Sequence, residues 1–174
     1  MRALNYTLLA AYWAACFVWY PKLPEPYATH FNIRGEADAW SNGPGAWFAL
    51  PAIATATILL LIGIGKLAQR TPHLWNIPEK KRFLALTPEQ RAPIMPVLSG
   101  MMDVAGLYSL LVFIVCQWAV YQSAVDARGS LGLAFHVVVW GGVVVLLIYI
   151  LRLNKRVKEM ILAASAEGTV GRTS

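Results

Sequence analysis

The sequence predicts an all-α membrane protein with four transmembrane helices, both termini cytoplasmic and a structured outer loop. Three observations carry this. Of 174 residues, 57% are hydrophobic and only 14% charged, too little charge to cover a soluble domain of this length. The apolar residues are bunched into stretches 3–20, 46–68, 98–122 and 130–152, each about long enough to cross a ~30 Å hydrocarbon core at 1.5 Å per helical residue. The basic residues are also lopsided. Placing the N-terminus, the 69–97 loop and the C-terminal tail 153–174 on one side, and counting helix-end residues with them, collects Arg2, Lys66, Arg70, Lys80, Lys81, Arg82, Arg91, Arg152, Lys155, Arg156, Lys158 and Arg172 there. Lys22, Arg34 and Arg128 fall on the other side, a split of 12 to 3. The positive-inside rule then orients the chain in the bacterial cytoplasmic (inner) membrane. The net charge of +6 is thereby read as topology and anionic-lipid contact, and no nucleic-acid partner is expected.

The first span ends at Trp19-Tyr20-Pro21, interfacial aromatics followed by a helix-stopping proline. It is read as an uncleaved helix, since Trp13 is a poor residue three places before Cys16 for a lipoprotein site. Cys16 and Cys116 both lie in apolar spans and are read as small buried hydrophobes. The outer loop, 20–45, holds three prolines and three glycines between Lys22 and Gly45, which rules out one continuous helix. It is expected to form short strands or turns braced by Phe31 and Trp40, with turns at Gly35 and Asn42-Gly43.

The second span opens with Trp47 and Phe48 and tolerates Pro51 near its start. In the inner loop, 69–97, Thr87-Pro88-Glu89-Gln90 reads as an N-cap followed by proline at the first helical position. With Trp75, Ile77, Phe83 and Leu86 this loop is expected to lie on the inner membrane surface. The third span carries Asp103, the fourth His136 and Gly141-Gly142, and RLNKRVKEM continues the fourth as a basic amphipathic extension. The tail 165–174 reads as disordered.

The outer loop contains the densest pattern: Leu23-Pro24, Thr29-His30-Phe31-Asn32, Gly35-Glu36, Asp38 and Trp40. This order resembles the signature of a bacterial family of small membrane proteins of unknown function. The same domain forms the N-terminal part of proteins similar to the immunity protein of the sporulation-delaying toxin system. The resemblance covers Leu23 to Asn42 and, more loosely, the helices on either side. It implies a first helix leading into this loop and then a second helix. The immunity proteins carry a further multi-helix domain of which this sequence has no evident copy, so the resemblance implies the domain and not the activity.

His30, Glu36 and Asp38 are potential metal ligands within nine residues, but with no cysteine and no ligand periodicity no metal is assigned. The structural reading has His30 and Asn32 bonding loop carbonyls while Glu36 and Asp38 cap turns; a recognition surface is the other. The intramembrane ionisable residues Asp103 and His136 are functional candidates by position, and each is expected to make a helix-packing hydrogen bond, too far apart to pair with each other. No catalytic set, phosphate loop or cofactor is assigned. The expected function is a non-catalytic accessory or structural subunit, or binding partner, within a membrane assembly such as a respiratory or photosynthetic complex. The alternative is an immunity or sensor-type protein that binds a peptide or toxin through the outer loop. The expected partners are the lipid bilayer and other membrane subunits or a peptide ligand.

Overall fold

A computed structural model describes residues 1–32, 34–125 and 131–170. The chain is mostly helical: α1 (Arg2–Trp19), α2 (Pro44–Arg70), α3 (Lys80–Ala85), α4 (Pro88–Arg91), α5 (Met95–Val125), α6 (Leu133–His136) and α7 (Gly142–Val170), with strands β1 (Tyr27–Phe31) and β2 (Ala37–Ser41). Three helical stretches are long and apolar enough to cross a membrane: Pro44–Arg70, Pro88–Val125 and Val137–Ala166. Their outward faces agree with that reading. Ile53, Leu59, Leu60 and Leu67 on α2, and Val144, Val145, Leu147 and Leu151 on α7, are all more than half exposed, a larger apolar surface than a water-soluble monomer carries.

The long helices pack side by side in alternating directions. α1 runs parallel to α5, meeting it at Arg2–Asp103, Tyr12–Gln117 and Trp19–Trp118. α2 runs antiparallel to both, with its Trp47 Nε1 donating to the Cys16 carbonyl near one end and Gly65 against Met102 near the other. α7 returns along α5. Between α6 and α7 a π-helical turn, Val137–Gly141, interrupts the regular ladder. Such a turn misaligns backbone carbonyls, and the Tyr108 hydroxyl donates to one of them, Val139, at 2.7 Å. Gly142 admits the ring, since a Cβ there would sit 2.3 Å from Tyr108 Cε2.

Two cores result. One lies under the hairpin formed by β1 and β2 and contains Tyr12, Cys16, Tyr27, Trp47, Ile58 and Leu110. The other lies at the opposite, basic end, where Trp75, Phe83, Leu86, Ile94 and Leu98 pack on Leu153, Val157 and Ile161 of α7. The Thr87 capping box is present, with Gln90 N donating to Thr87 Oγ1 at 3.3 Å and Thr87 N to Gln90 Oε1 at 2.9 Å. The Gln90 side chain also donates to the Ala164 carbonyl at 2.9 Å, tying α4 to the end of α7.

The loop after α1 folds into a two-stranded antiparallel sheet, in line with the short strands expected of it. Several bounds are corrected. The second helix spans Pro44–Arg70 instead of 46–68, and the third begins at Met95, three residues before Leu98, so Asp103 lies eight residues into it. The helical run expected over 130–152 begins at Leu133. The tail is helical through Val170, with Ser165 Oγ donating to the Ile161 carbonyl, because the amphipathic pattern that seats Leu153, Val157 and Ile161 supports a continuous helix. Ser130, Arg128 and Arg172, and residues 171–174 of the tail, lie outside the described residues. Both cysteines are free thiols.

Candidate functional site

The hairpin is built around Asn32. Its backbone N donates to the Glu36 carbonyl and its own carbonyl accepts from Gly35 N, both at 2.8 Å. Its side-chain Oδ1 accepts from the backbone N of Arg34 and of Glu36 (2.8 and 3.1 Å), and its Nδ2 donates to Glu36 Oε2 at 3.0 Å. An asparagine that accepts from residues two and four ahead is an Asx-type turn organiser. The Asn32 side chain therefore captures two N–H groups and the Glu36 carboxylate, where bonding to loop carbonyls was expected of it. Gly35 has φ +78°, a left-handed conformation that side chains resist. Its carbonyl accepts from Leu131 N at 2.8 Å, and His136 Nε2 lies 3.8 Å from where a Gly35 Cβ would stand. The motif tip is thereby fastened to the segment leading into α6.

The strands pair Tyr27 with Ser41 and Phe31 with Ala37, with register shifts beside Thr29 and beside Asp38. A shift re-aims side chains that strict alternation would direct elsewhere. Across this stretch His30 Nδ1 bonds Asp38 Oδ1, where bonding to a loop carbonyl was expected for His30 and turn capping for Asp38. The side chains are 68% and 43% exposed. Trp40 is 51% exposed, so it does not brace the loop. The brace is Tyr27, fully buried, edge-on to Trp47 with its hydroxyl donating to the Gly43 carbonyl; burial pushes that hydroxyl's pKa up. Gly43 N in turn donates to Glu25 Oε1 at 2.7 Å. Phe31 is half-buried against the same core, as expected, while Pro24, Thr29 and Glu36 are exposed.

Beneath β1 lies an open cleft of about 280 Å³, lined by Tyr27, Ala28 and Thr29 from β1, by α2 from Ala46 to Ile53, and by Gln117 and Val120 from α5. Gln117 is fully buried, with its Oε1 accepting from the Tyr12 hydroxyl at 3.0 Å. Its Nε2 is buried with no partner among the described residues. Sequence reasoning did not single out Gln117, Tyr12 or Asn5. The signal was there in part: Asn5 and Tyr12 are two turns apart, so both face α5.

Asp103 sits at the far end of this seam, away from His136. Arg2 Nε is 3.2 Å from its Oδ1, and Asn5 Nδ2 donates to its backbone carbonyl at 2.9 Å. The expected helix-packing bond is found there, strengthened by charge. His136 packs edge-on against Phe135. Among the described residues no group of three or more His, Cys, Asp or Glu is placed to hold a metal ion.

A family model described as "Domain of unknown function (DUF1648)" matches residues 7–55, that is, most of α1, the whole hairpin and the first turns of α2. This agrees with the resemblance carried by the loop motif, and the match brings no link to immunity proteins. Comparison with curated proteins and with solved structures gives no match to the chain.

Proposed function

We propose that this chain is a four-span integral protein of the bacterial cytoplasmic membrane, with both termini in the cytoplasm, that acts by binding and not by catalysis, as an accessory or structural subunit of a larger membrane assembly. The observation that carries this reading is a contrast within the hairpin. Tyr27, Gly35 and Glu25 are tied down through bonds to Gly43 and Leu131, while His30, Asp38 and Trp40 stand exposed. A preorganised surface carrying an exposed aromatic beside a hydrogen-bonded polar pair suits partner recognition.

The span beyond the three long apolar helices is α1. Its polar residues lower its hydropathy, but Asn5 and Tyr12 are buried against α5, so the face left to lipid is mostly apolar. At 18 residues it rises about 27 Å, the height of a hydrocarbon core. The 12-to-3 distribution of basic residues supports the orientation, which puts the hairpin outside. On α7 the apolar side chains left exposed supply a second surface for neighbouring subunits or lipid.

The test is purification of the intact chain in mild detergent after photo-crosslinking from position 40. Stoichiometric capture of a larger membrane partner is expected. A lone monomer or homo-oligomer with no crosslinked partner overturns the accessory role. A second reading, recognition of a peptide or toxin, is favoured by the exposed His30–Asp38 pair. There, loss of the protein raises sensitivity to a specific peptide, and His30→Ala reproduces that loss.

A further inference from the structure

We infer that the basic end of the bundle is a docking surface for the anionic head groups of inner-leaflet phospholipid. The inference rests on the membrane placement proposed above and goes beyond it. Orientation requires positive charge only while the chain inserts, whereas here the charge stays available in the folded protein. Segments 66–97 and 152–166 hold ten Lys and Arg against three Glu. Among the described residues only one of the ten is ion-paired, Arg82 with Glu79 at 3.5 Å. Unpaired like charge works against a compact state, and an anionic surface relieves it.

Depth places this charge in the head-group layer. Gly142 abuts Tyr108, five residues along α5 from Asp103, and Leu151 lies nine residues further along α7. At 1.5 Å per residue Leu151 stands about 6 Å beyond the Arg2–Asp103 pair. Trp19 ends α1 seventeen residues the other way from Arg2, about 26 Å. The levels of Trp19 and Leu151 are thus about 32 Å apart, close to the thickness of a hydrocarbon core. Arg152 and Lys155 follow directly, and both are exposed. Apolar side chains alternate with the charges. Lys66 adjoins Leu67, 54% exposed, and Arg152 adjoins Leu151, 69% exposed. Trp75 Nε1 donates to the Ala68 carbonyl at 2.9 Å, which sets exposed Leu74 beside the end of α2. On α3, Lys80 and Lys81 precede exposed Leu84 by four and three residues, so all three share one side of the helix. A phospholipid offers phosphate and hydrocarbon together at such a boundary, whereas a soluble polyanion offers only the charge.

The experiment reconstitutes the full chain in phosphatidylcholine vesicles with a trace of phosphatidylglycerol or phosphatidylcholine, spin-labelled on the acyl chain near the head group. The motionally restricted fraction of each label gives the association ratio of the two lipids. A ratio of about five in favour of phosphatidylglycerol is expected at low salt, the factor that one basic residue beside an anionic surface supplies. It falls as salt is raised. Lys80→Gln with Lys81→Gln, and separately Arg152→Gln with Lys155→Gln, are each expected to lower the ratio about twofold; all four residues are exposed, so the fold is left intact. Lys22→Gln with Arg34→Gln, at the other end of the bundle, leaves the ratio unchanged. A ratio near one overturns the surface, as does a ratio that both inner-end variants leave intact. Retention of RNA by the chain in detergent, with a ratio near one, assigns the charge to a soluble polyanion instead. Alkaline extraction separates the two levels: a chain that leaves the membrane fraction defeats the membrane placement itself, whereas a chain that stays and shows no preference defeats only the head-group surface.

Discussion

The Arg2 guanidinium and the Asp103 carboxylate meet at 3.2 Å, joining the first turn of α1 to α5. Asn5, on the same face of α1, holds the Asp103 backbone carbonyl. The Asp103 side chain is 13% exposed and that of Arg2 36%, so the pair is screened on one side only. Arg2→Ala is expected to cost about 1–2 kcal/mol, between the ~0–1 of exposed pairs and the ~3–5 of fully buried ones. Unfolding in detergent micelles measures this. Adding Asp103→Asn should recover part of the loss, because the uncompensated charge goes with it; strictly additive losses would sink this account.

Asn32→Ala should open the hairpin. It removes three side-chain hydrogen bonds from the turn, and a loss of about 1–3 kcal/mol in local stability is expected. Limited proteolysis between positions 31 and 41 reads it directly. Gly35→Ala should act in the same direction by about 1–2 kcal/mol, through its positive φ. A cleavage rate unchanged in both variants would mean the turn is held elsewhere.

Gly142→Ala tests the packing of α7 on α5. The added methyl would lie 2.3 Å from the Tyr108 ring, an overpacking expected to cost about 1–3 kcal/mol. Combining it with Tyr108→Leu should cost less than the sum of the two single changes, since the clash disappears with the ring. Additivity in thermal unfolding would place the Tyr108 ring elsewhere.

Gln90→Ala removes half of the Thr87 capping box and the tie to Ala164 together. A stability loss of about 1–2 kcal/mol is expected. Amide exchange at positions 162–166 should quicken along with that of α4. Faster exchange in α4 alone would show that the tie to α7 carries nothing.

Tyr27 gives the hairpin end an alkaline limit. Its folded pKa is raised by burial, so its neutral form contributes stability that is fully present below the unfolded value of about 10 and lost as pH rises through the folded value. Unfolding measured between pH 8 and 12 should fall more steeply for the native chain than for Tyr27→Phe. Parallel curves would refute it.

Three helices, the Thr87 cap and the turn at Gly35 were legible in the sequence because each depends on neighbours in the chain: runs of apolar residues, an N-cap spacing, a glycine where φ must be positive. The pairing of His30 with Asp38 was not, because it follows from two register shifts that only the paired strands reveal. The sequence points to Trp40 as a brace because an aromatic in a loop usually packs, whereas here Tyr27 already fills the space above Trp47. The cleft was invisible for a different reason. It is formed by β1, α2 and α5, separated by as many as about ninety residues in the chain, and its distinctive group, Gln117, reads in sequence as one polar residue in an apolar helix.

The polar edge of α1 has a consequence for biosynthesis under the membrane reading proposed above. A helix carrying Arg2, Asn5 and Tyr12 partitions weakly into hydrocarbon by itself, and the groups that satisfy it, Asp103 and Gln117, are about a hundred residues downstream. The N-terminal segment would therefore emerge from the ribosome long before its partner exists. It would wait at the lipid surface or beside the insertion machinery, and settle into the bilayer only when α5 arrives to meet it.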